Sequence, residues 1–311
     1  MTLHSKLTKF LKTAKNPLLV LLGPTASGKT ALSLKLAHIY DGEIISTDSR
    51  QLYREMEIGT DAILPDQQEG IVHHLLGITT PDKPISLAEY KDLALQKIEE
   101  IYTRKHLPIL VGGTGLYISS IIEGYEVPRV AADEKLREKL ESEAKENGPE
   151  YLYEKLQKLD PEAAKKIHPS NIRYVIRALE LNLKGQPKKD KKTASKFDVF
   201  MIAIVWPREK LYERVNLRVD KQLERGLLDE VQKLLNKGYA LNLPAMSSLG
   251  VKEIIPYLKG EMTLPECLEI LKRKTRNYAK RQMTWFRRYD NVHTITPEQL
   301  NELLNAPEKD L

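Results

Sequence analysis

Residues Gly23-Pro24-Thr25-Ala26-Ser27-Gly28-Lys29-Thr30 fit the glycine-rich phosphate-loop pattern in full, and no other feature of the chain limits its fold as strongly. Such a loop works only when a buried strand delivers it and a helix leaves it. Its backbone N–H groups then converge on an anion beside a lysine and a hydroxyl. Both flanks are present. Residues 17–22 read Pro-Leu-Leu-Val-Leu-Leu, a short apolar run suited to a buried parallel strand. Residues 30–39 place Leu32, Leu36 and Ile39 on one face of a helix. Lys29 is expected to reach the terminal phosphates and Thr30 to bind magnesium. The pattern implies a polyphosphate and leaves open whether that is a nucleotide.

The same alternation continues. Residues 42–47, Gly-Glu-Ile-Ile-Ser-Thr, read as a second strand running into Asp48, which puts that carboxylate at the carboxyl edge of the sheet, where ligands bind in open α/β folds. Asp48 fits a metal ligand or general base, and equally an N-cap for the following turn. No apolar run of four elsewhere ends in an acidic residue, which favours the functional reading. Ser86 with Glu89 forms a capping box for a helix to residue 104, striped by Leu87, Tyr90, Ala94, Ile98 and Ile101. Residues 108–111, Pro-Ile-Leu-Val, form a third strand that opens into Gly112-Gly113-Thr114-Gly115.

From Pro128 to Lys192 the chain is charged, helical and poor in strand formers, with helices over 133–147, 151–159 and 172–183 and a basic linker from Lys184 through Pro187 to Lys192. The expected fold is therefore α/β: a phosphate-loop parallel sheet flanked by helices, built from 1–127 and 193–311, with an inserted all-helical subdomain over 128–192. A strand returns at 199–205, and a mostly helical remainder follows.

Charge and composition narrow the partners. The 311 residues are 41% apolar and 30% charged, with a net charge of +6, which permits a polyanionic partner without requiring one. A single cysteine, Cys267, excludes an intrachain disulfide and a cysteine zinc site. No stretch is apolar enough for a membrane span or a signal peptide, so a cytosolic, cytoplasmic monomer without membrane contact is expected. The C-terminal helix over 271–289 interleaves basic residues with Tyr278, Trp285, Phe286 and Tyr289. The aromatics read as core, and the cations on the other faces as candidates for an RNA backbone. His73 and His74 point to opposite faces of an extended segment and make a poor metal pair. Arg214 and Arg218 share a helical face, which fits either an anion between them or solvation.

Several segments together resemble the bacterial tRNA dimethylallyltransferase (tRNA isopentenyltransferase) family. They are the phosphate loop, Ser-Thr-Asp-Ser-Arg-Gln-Leu-Tyr-Arg-Glu-Met-Glu-Ile-Gly-Thr at 46–60, Val-Gly-Gly-Thr-Gly-Leu-Tyr at 111–117, Asp-Pro-Glu-Ala-Ala at 160–164, Arg-Ala-Leu-Glu at 177–180 and Ala-Lys-Arg-Gln-Met-Thr-Trp-Phe-Arg at 279–287. The resemblance implies transfer of a dimethylallyl group from dimethylallyl diphosphate to the exocyclic amine of the adenosine 3′ of the anticodon. Gly23 to Thr30 would hold the diphosphate with Mg2+ at Thr30. Asp48 would act as base, Thr114 would position the reactants and Arg218 would stabilise the leaving group. For the tRNA anticodon stem-loop it implies contacts from Asp48, Ser49, Arg50 and Gln51, from Thr114 and Arg137, and from Arg173, Tyr174, Val175, Ile176 and Arg177. Gly250, Val251 and Lys252, with Arg281 and Gln282 along a base channel, complete that set. The chain departs from the family pattern at Asp61-Ala62-Ile63, where Ala-Lys-Pro is common, and at Val251, where Gly is followed by Tyr. A nucleotide or nucleoside kinase on the same core, and a non-catalytic RNA binder, are the competing readings.

Overall fold

The computed structural model describes residues 2–130, 132–186 and 195–306. Six strands form one sheet: β1 (Pro17–Leu22), β2 (Gly42–Ser46), β3 (His73–His74), β4 (Leu107–Val111), β5 (Asp198–Ile204) and β6 (Val292–Ile295). They are ordered β3-β2-β4-β1-β5-β6, and every pairing is parallel. β1, β2 and β4 expose almost nothing to solvent, as strands covered on both faces must. The chain winds away from β1 in both directions, with β4 and β2 on one side and β5 on the other. A crevice therefore opens beyond the carboxyl end of β1. The register aligns the strand ends there, since Val111 pairs with both Leu21 and Ser46 while Leu22 pairs with Ala203.

The helix Lys29–Tyr40 follows β1 and buries more than the one face expected. Leu34 is enclosed along with Leu32, Leu36 and Ala37, while Ile39 is half-buried. The added cover comes from helices Leu3–Thr13 and Pro297–Asn305, whose Leu7 and Leu300 join the same cluster. The helix Leu87–Thr103 begins directly after Ser86 and buries Tyr90, Ala94, Ile98 and Ile101 in full. β6 lies within a region expected to be helical. Only four residues long and half polar, it is a strand because β5 offers it an edge.

By internal contacts the described residues divide into two units: Met1–Ile85 with Glu89–Ile122 and Ser195–Leu311, and Ser86–Ala88 with Glu123–Ala194. The second contains helices Glu134–Asn147, Pro149–Leu159, Pro161–Ala164 and Ile172–Leu183 around Leu140, Leu152, Leu156, Val175, Ile176 and Leu179. Its polar anchor is Glu180, which has no exposed surface and accepts from Asp133 N at 2.7 Å, from both Nε and Nη2 of Arg137 at 3.0 Å, and from Arg177. Burial pushes the Glu180 carboxyl up, and the two guanidiniums outweigh it, so the net shift is downward. Asp160 caps the short helix after it through Ala163 N at 2.9 Å and accepts from Asn182 at 3.0 Å, a structural reason for its place in Asp-Pro-Glu-Ala-Ala. The linker residues Pro187 to Lys192 lie outside the described residues.

Candidate active site

Three loops meet the crevice at the carboxyl edge. The phosphate loop leaves β1 with Ala26 (φ 62°) and Gly28 (φ 99°) in the left-handed region, which turns successive N–H groups to one side. Gly23 is required because a Cβ there would stand 2.6 Å from Ser27 Oγ. Lys29 Nζ donates to the Gly23 and Pro24 carbonyls at 2.9 and 2.7 Å. Burial first, and the Arg218 charge second, lower its pKa to about 7, against the opposing pull of Asp48 and Asp61.

The helix Arg208–Glu224 supplies the remaining cations. Arg218 donates to Thr25 Oγ1 and to the Thr60 carbonyl at 3.3 Å, with Asp61 Oδ2 3.4 Å from its Nε. Arg214, one turn earlier, donates to the Ala26 carbonyl at 2.7 Å and lies over the Trp206 ring, whose Nε1 donates to the Ser27 carbonyl at 2.9 Å. Both arginines are thus bound to the phosphate loop, Arg214 from an exposed position and Arg218 from a partly buried one.

Asp48 follows β2. Its Oδ1 accepts from Arg50 N at 2.9 Å, so it does cap the next turn, and the turn fixes the carboxylate's direction. Burial raises the phenols of Tyr90, Tyr117 and Tyr278, and the Asp48 charge raises each further, so the carboxylate lies within electrostatic reach of these phenols and of Lys29. Tyr90 and Tyr117 stack at 3.8 Å.

The third loop, Gly112 to Gly115 after β4, is glycine-rich for steric reasons. A Cβ at Gly112 would strike Thr47, at Gly113 the Gln282 amide, and at Gly115 the Trp285 ring. Thr114 Oγ1 accepts from Ser49 N at 3.1 Å and lies 3.5 Å from Ser49 Oγ, joining this loop to the Asp48 segment. Gln282, from the helix Leu264–Phe286, accepts from Thr25 N at 2.9 Å and donates to the Gly113 carbonyl at 3.1 Å. It is a buried brace between two loops at the crevice. Arg281 beside it is exposed, its guanidinium 5.7 Å from the Tyr278 ring.

The remaining expected contacts separate by burial. Arg173 and Tyr174 are exposed, Tyr174 at 65%, whereas Val175 and Ile176 lie in the helical core and Arg137 and Arg177 are bound to Glu180. Gly250 (φ 93°) and Val251 are buried at the start of a helix, which leaves Lys252 as the exposed side chain there. The side chains of Val175, Ile176 and Val251 therefore face packed neighbours, a correction that follows from helix periodicity once each core is known. Arg50 donates to the Pro244 carbonyl and to Ser247 Oγ at 3.3 Å, and Gln51 accepts from Ser46 Oγ at 2.9 Å.

Some site residues escaped the sequence reading. Trp206 was marked only by its place just past the strand that became β5. Gln222 and Glu230 gave no signal, yet they clamp the backbone at Ile58 and Gly59. Asp61 stood out only as a departure from a pattern.

A phosphate loop, two arginines bound to it and a facing carboxylate, gathered at a topological switch point, define a group-transfer enzyme of the phosphate-loop α/β class. The IPP transferase family pattern matches residues 51–289, and the chain belongs to that family. A tRNA dimethylallyltransferase of Acetivibrio thermocellus is 48% identical over 289 residues, 91% of this chain and 92% of its own length. The solved structure of the full-length tRNA isopentenylpyrophosphate transferase from Bacillus halodurans matches with TM-score 0.69 and 42% identity over 94% of this chain and 95% of that one. A eukaryotic dimethylallyltransferase, described as acting on tRNA, matches with TM-score 0.80 and 29% identity over 95% of this chain and 77% of its own. Among the described residues no helix is long and apolar enough to cross a membrane.

Proposed function

We propose that this protein transfers the dimethylallyl group of dimethylallyl diphosphate to the exocyclic N6 amine of the adenosine 3′-adjacent to the anticodon of tRNA, releasing diphosphate. The carrying observation is that the anion cradle of Lys29, after β1 and joined by Arg218, and the carboxylate of Asp48, after β2, stand at the same carboxyl edge of one sheet with only β4 between their strands. The N6 lone pair forms the new bond to the allylic carbon, and the carbon–oxygen bond breaks with its electron pair leaving on the diphosphate. Asp48 accepts the N6 proton, a role suited to a carboxylate whose direction the Arg50 N–H fixes. Lys29, Arg218 and the loop N–H groups stabilise the charge that grows on the departing oxygen. Thr114, held to Ser49, positions the loop facing Asp48.

Mg2+ fits the residues in one way. No cluster of three His, Cys, Asp or Glu among the described residues would cage a metal. Thr30, exposed at the start of the helix Lys29–Tyr40, offers one hydroxyl. Ser27 Oγ beneath the loop is buried without a hydrogen-bond partner. An ion held by Thr30 would take most of its ligands from the diphosphate and water, the coordination this cation favours, and would supply charge neutralisation to the leaving group. Arg281, Arg173, Tyr174 and Lys252 are the exposed candidates for tRNA contact, and the adenine must leave its stack to reach Asp48. A monomer acting in the cytoplasm completes the reading.

Incubation with Mg2+, dimethylallyl diphosphate and unmodified tRNA, followed by digestion and mass analysis of the nucleosides, tests it. A prenylated adenosine is expected. No product, together with ATP-dependent phosphorylation of a nucleoside in a parallel reaction, would overturn the reading in favour of a kinase.

A further inference from the structure

Asp61 is held with unusual care for a residue on a surface turn. It ends the short helix Glu57–Thr60 in the left-handed region at φ 53°. The backbone before it is gripped from both sides. Gln222 donates to the Ile58 and Gly59 carbonyls at 2.8 and 2.9 Å, and Glu230 accepts from the Ile58 and Gly59 N–H groups at 2.7 and 2.8 Å. The carboxylate is thereby fixed between two arginines of the neighbouring helix region. Oδ1 accepts from Arg225 at 2.8 Å, and Oδ2 lies 3.4 Å from Arg218 Nε.

These two contacts differ in kind. The Arg225 contact is a hydrogen bond. The Arg218 contact is charge proximity alone, because Arg218 Nε is buried with no hydrogen-bond partner. The guanidinium that reaches the phosphate loop through Thr25 and Thr60 thus keeps one N–H unspent and an aspartate close by. An anion with better-directed oxygens would take that N–H, since charge-assisted bonds to a phosphate outweigh a misaligned ion pair. Asp61 would keep Arg225.

We infer that Asp61 tempers the diphosphate site: its charge competes with the diphosphate for Arg218, and so keeps donor and product diphosphate from binding too tightly. This rests on the donor assigned under Proposed function. The physical ground is that a fixed negative charge beside an anion site lowers its potential, and that binding donor and leaving group more tightly without favouring the transition state does not speed turnover. The nearby Lys29 ammonium senses the same carboxylate.

Asp61→Asn keeps the turn, because asparagine tolerates left-handed backbone, and its amide oxygen can still accept from Arg225. Titration of inorganic diphosphate into the whole protein by calorimetry should show a Kd about tenfold lower than wild type, equivalent to ~1.4 kcal/mol. The KM for dimethylallyl diphosphate should fall by a similar factor while the KM for tRNA stays put. High salt should shrink the gap, and Asp61→Glu, which restores the charge, should return Kd towards wild type. Asp61→Gly, equally at ease at this φ, repeats the test should the asparagine variant melt early. Unchanged or weaker diphosphate binding in the folded variants overturns the inference. A wild-type protein that binds no diphosphate at all would instead overturn the donor assignment.

Discussion

β2 and the turn that leaves it carry two carboxylates five residues apart, and they have opposite fates. Glu43, near its start, is 2% exposed and fully engaged. Arg104 grips both oxygens at 2.7 Å, His74 donates at 2.6 Å and His106 lies at 2.7 Å. Asp48, just past the strand's end, spends one oxygen on the Arg50 N–H and lies within electrostatic reach of Lys29 and three tyrosine phenols. The Arg104 bonds, reinforced by His74 and His106, overcome burial and lower the Glu43 pKa to about 2. A carboxylate whose hydrogen-bonding capacity is consumed by its own fold serves stability. One aimed by a turn into a space shared with cations is left able to act.

The sharpest attempt to break this contrast is Asp48→Asn, which keeps the bond from Arg50. Turnover should fall by about 100-fold or more, with melting temperature unchanged and tRNA affinity within a few-fold of wild type; surviving turnover would strip Asp48 of its role as base. Glu43→Gln should do the reverse. It leaves Arg104 and two histidines around a neutral group and costs about 3 kcal/mol of stability by denaturant unfolding, while kcat at a permissive temperature holds. The sign with pH follows, since a carboxyl held below its usual value contributes stability that is fully present above about pH 4.5 and lost as pH falls towards 2. Wild type should therefore lose more stability across that window than Glu43→Gln.

Smaller effects sharpen the site's side of the comparison. Gln282→Ala leaves Thr25 N and the Gly113 carbonyl unpaired at a buried position, at about 1–3 kcal/mol, and kcat/KM should drop about tenfold. An unchanged value would mean that the two loops hold their positions without the brace. Lys29 offers the subtlest test. With its pKa near 7, it is mostly neutral at pH 8 and charged at pH 6. Diphosphate favours the charged form, so Lys29 should contribute uptake of about one proton at pH 8 and almost none at pH 6, added to the diphosphate's own proton release and read by calorimetry in buffers of different ionisation enthalpy.

Much of this molecule was legible along the chain. The phosphate loop, β1, the Asp48 strand, the glycine turn and the helices of the second unit rest on patterns complete within ten or twenty residues: an apolar run, a 3.6-residue stripe, a cap, a run of glycines. Such local signals determined the parallel α/β class, the glycine-rich loop after β1 and the place of Asp48 just past the end of β2. Only the tertiary structure decided that β6 is a strand, that Gln282 is a buried brace, that Val175, Ile176 and Val251 face cores, and that Arg214 and Arg218 both reach the phosphate loop. Those outcomes depend on partners separated by tens to hundreds of residues, as in the bond from Thr25 N to Gln282. A side chain's period fixes which face it occupies, but what covers that face is settled only when the chain returns to it.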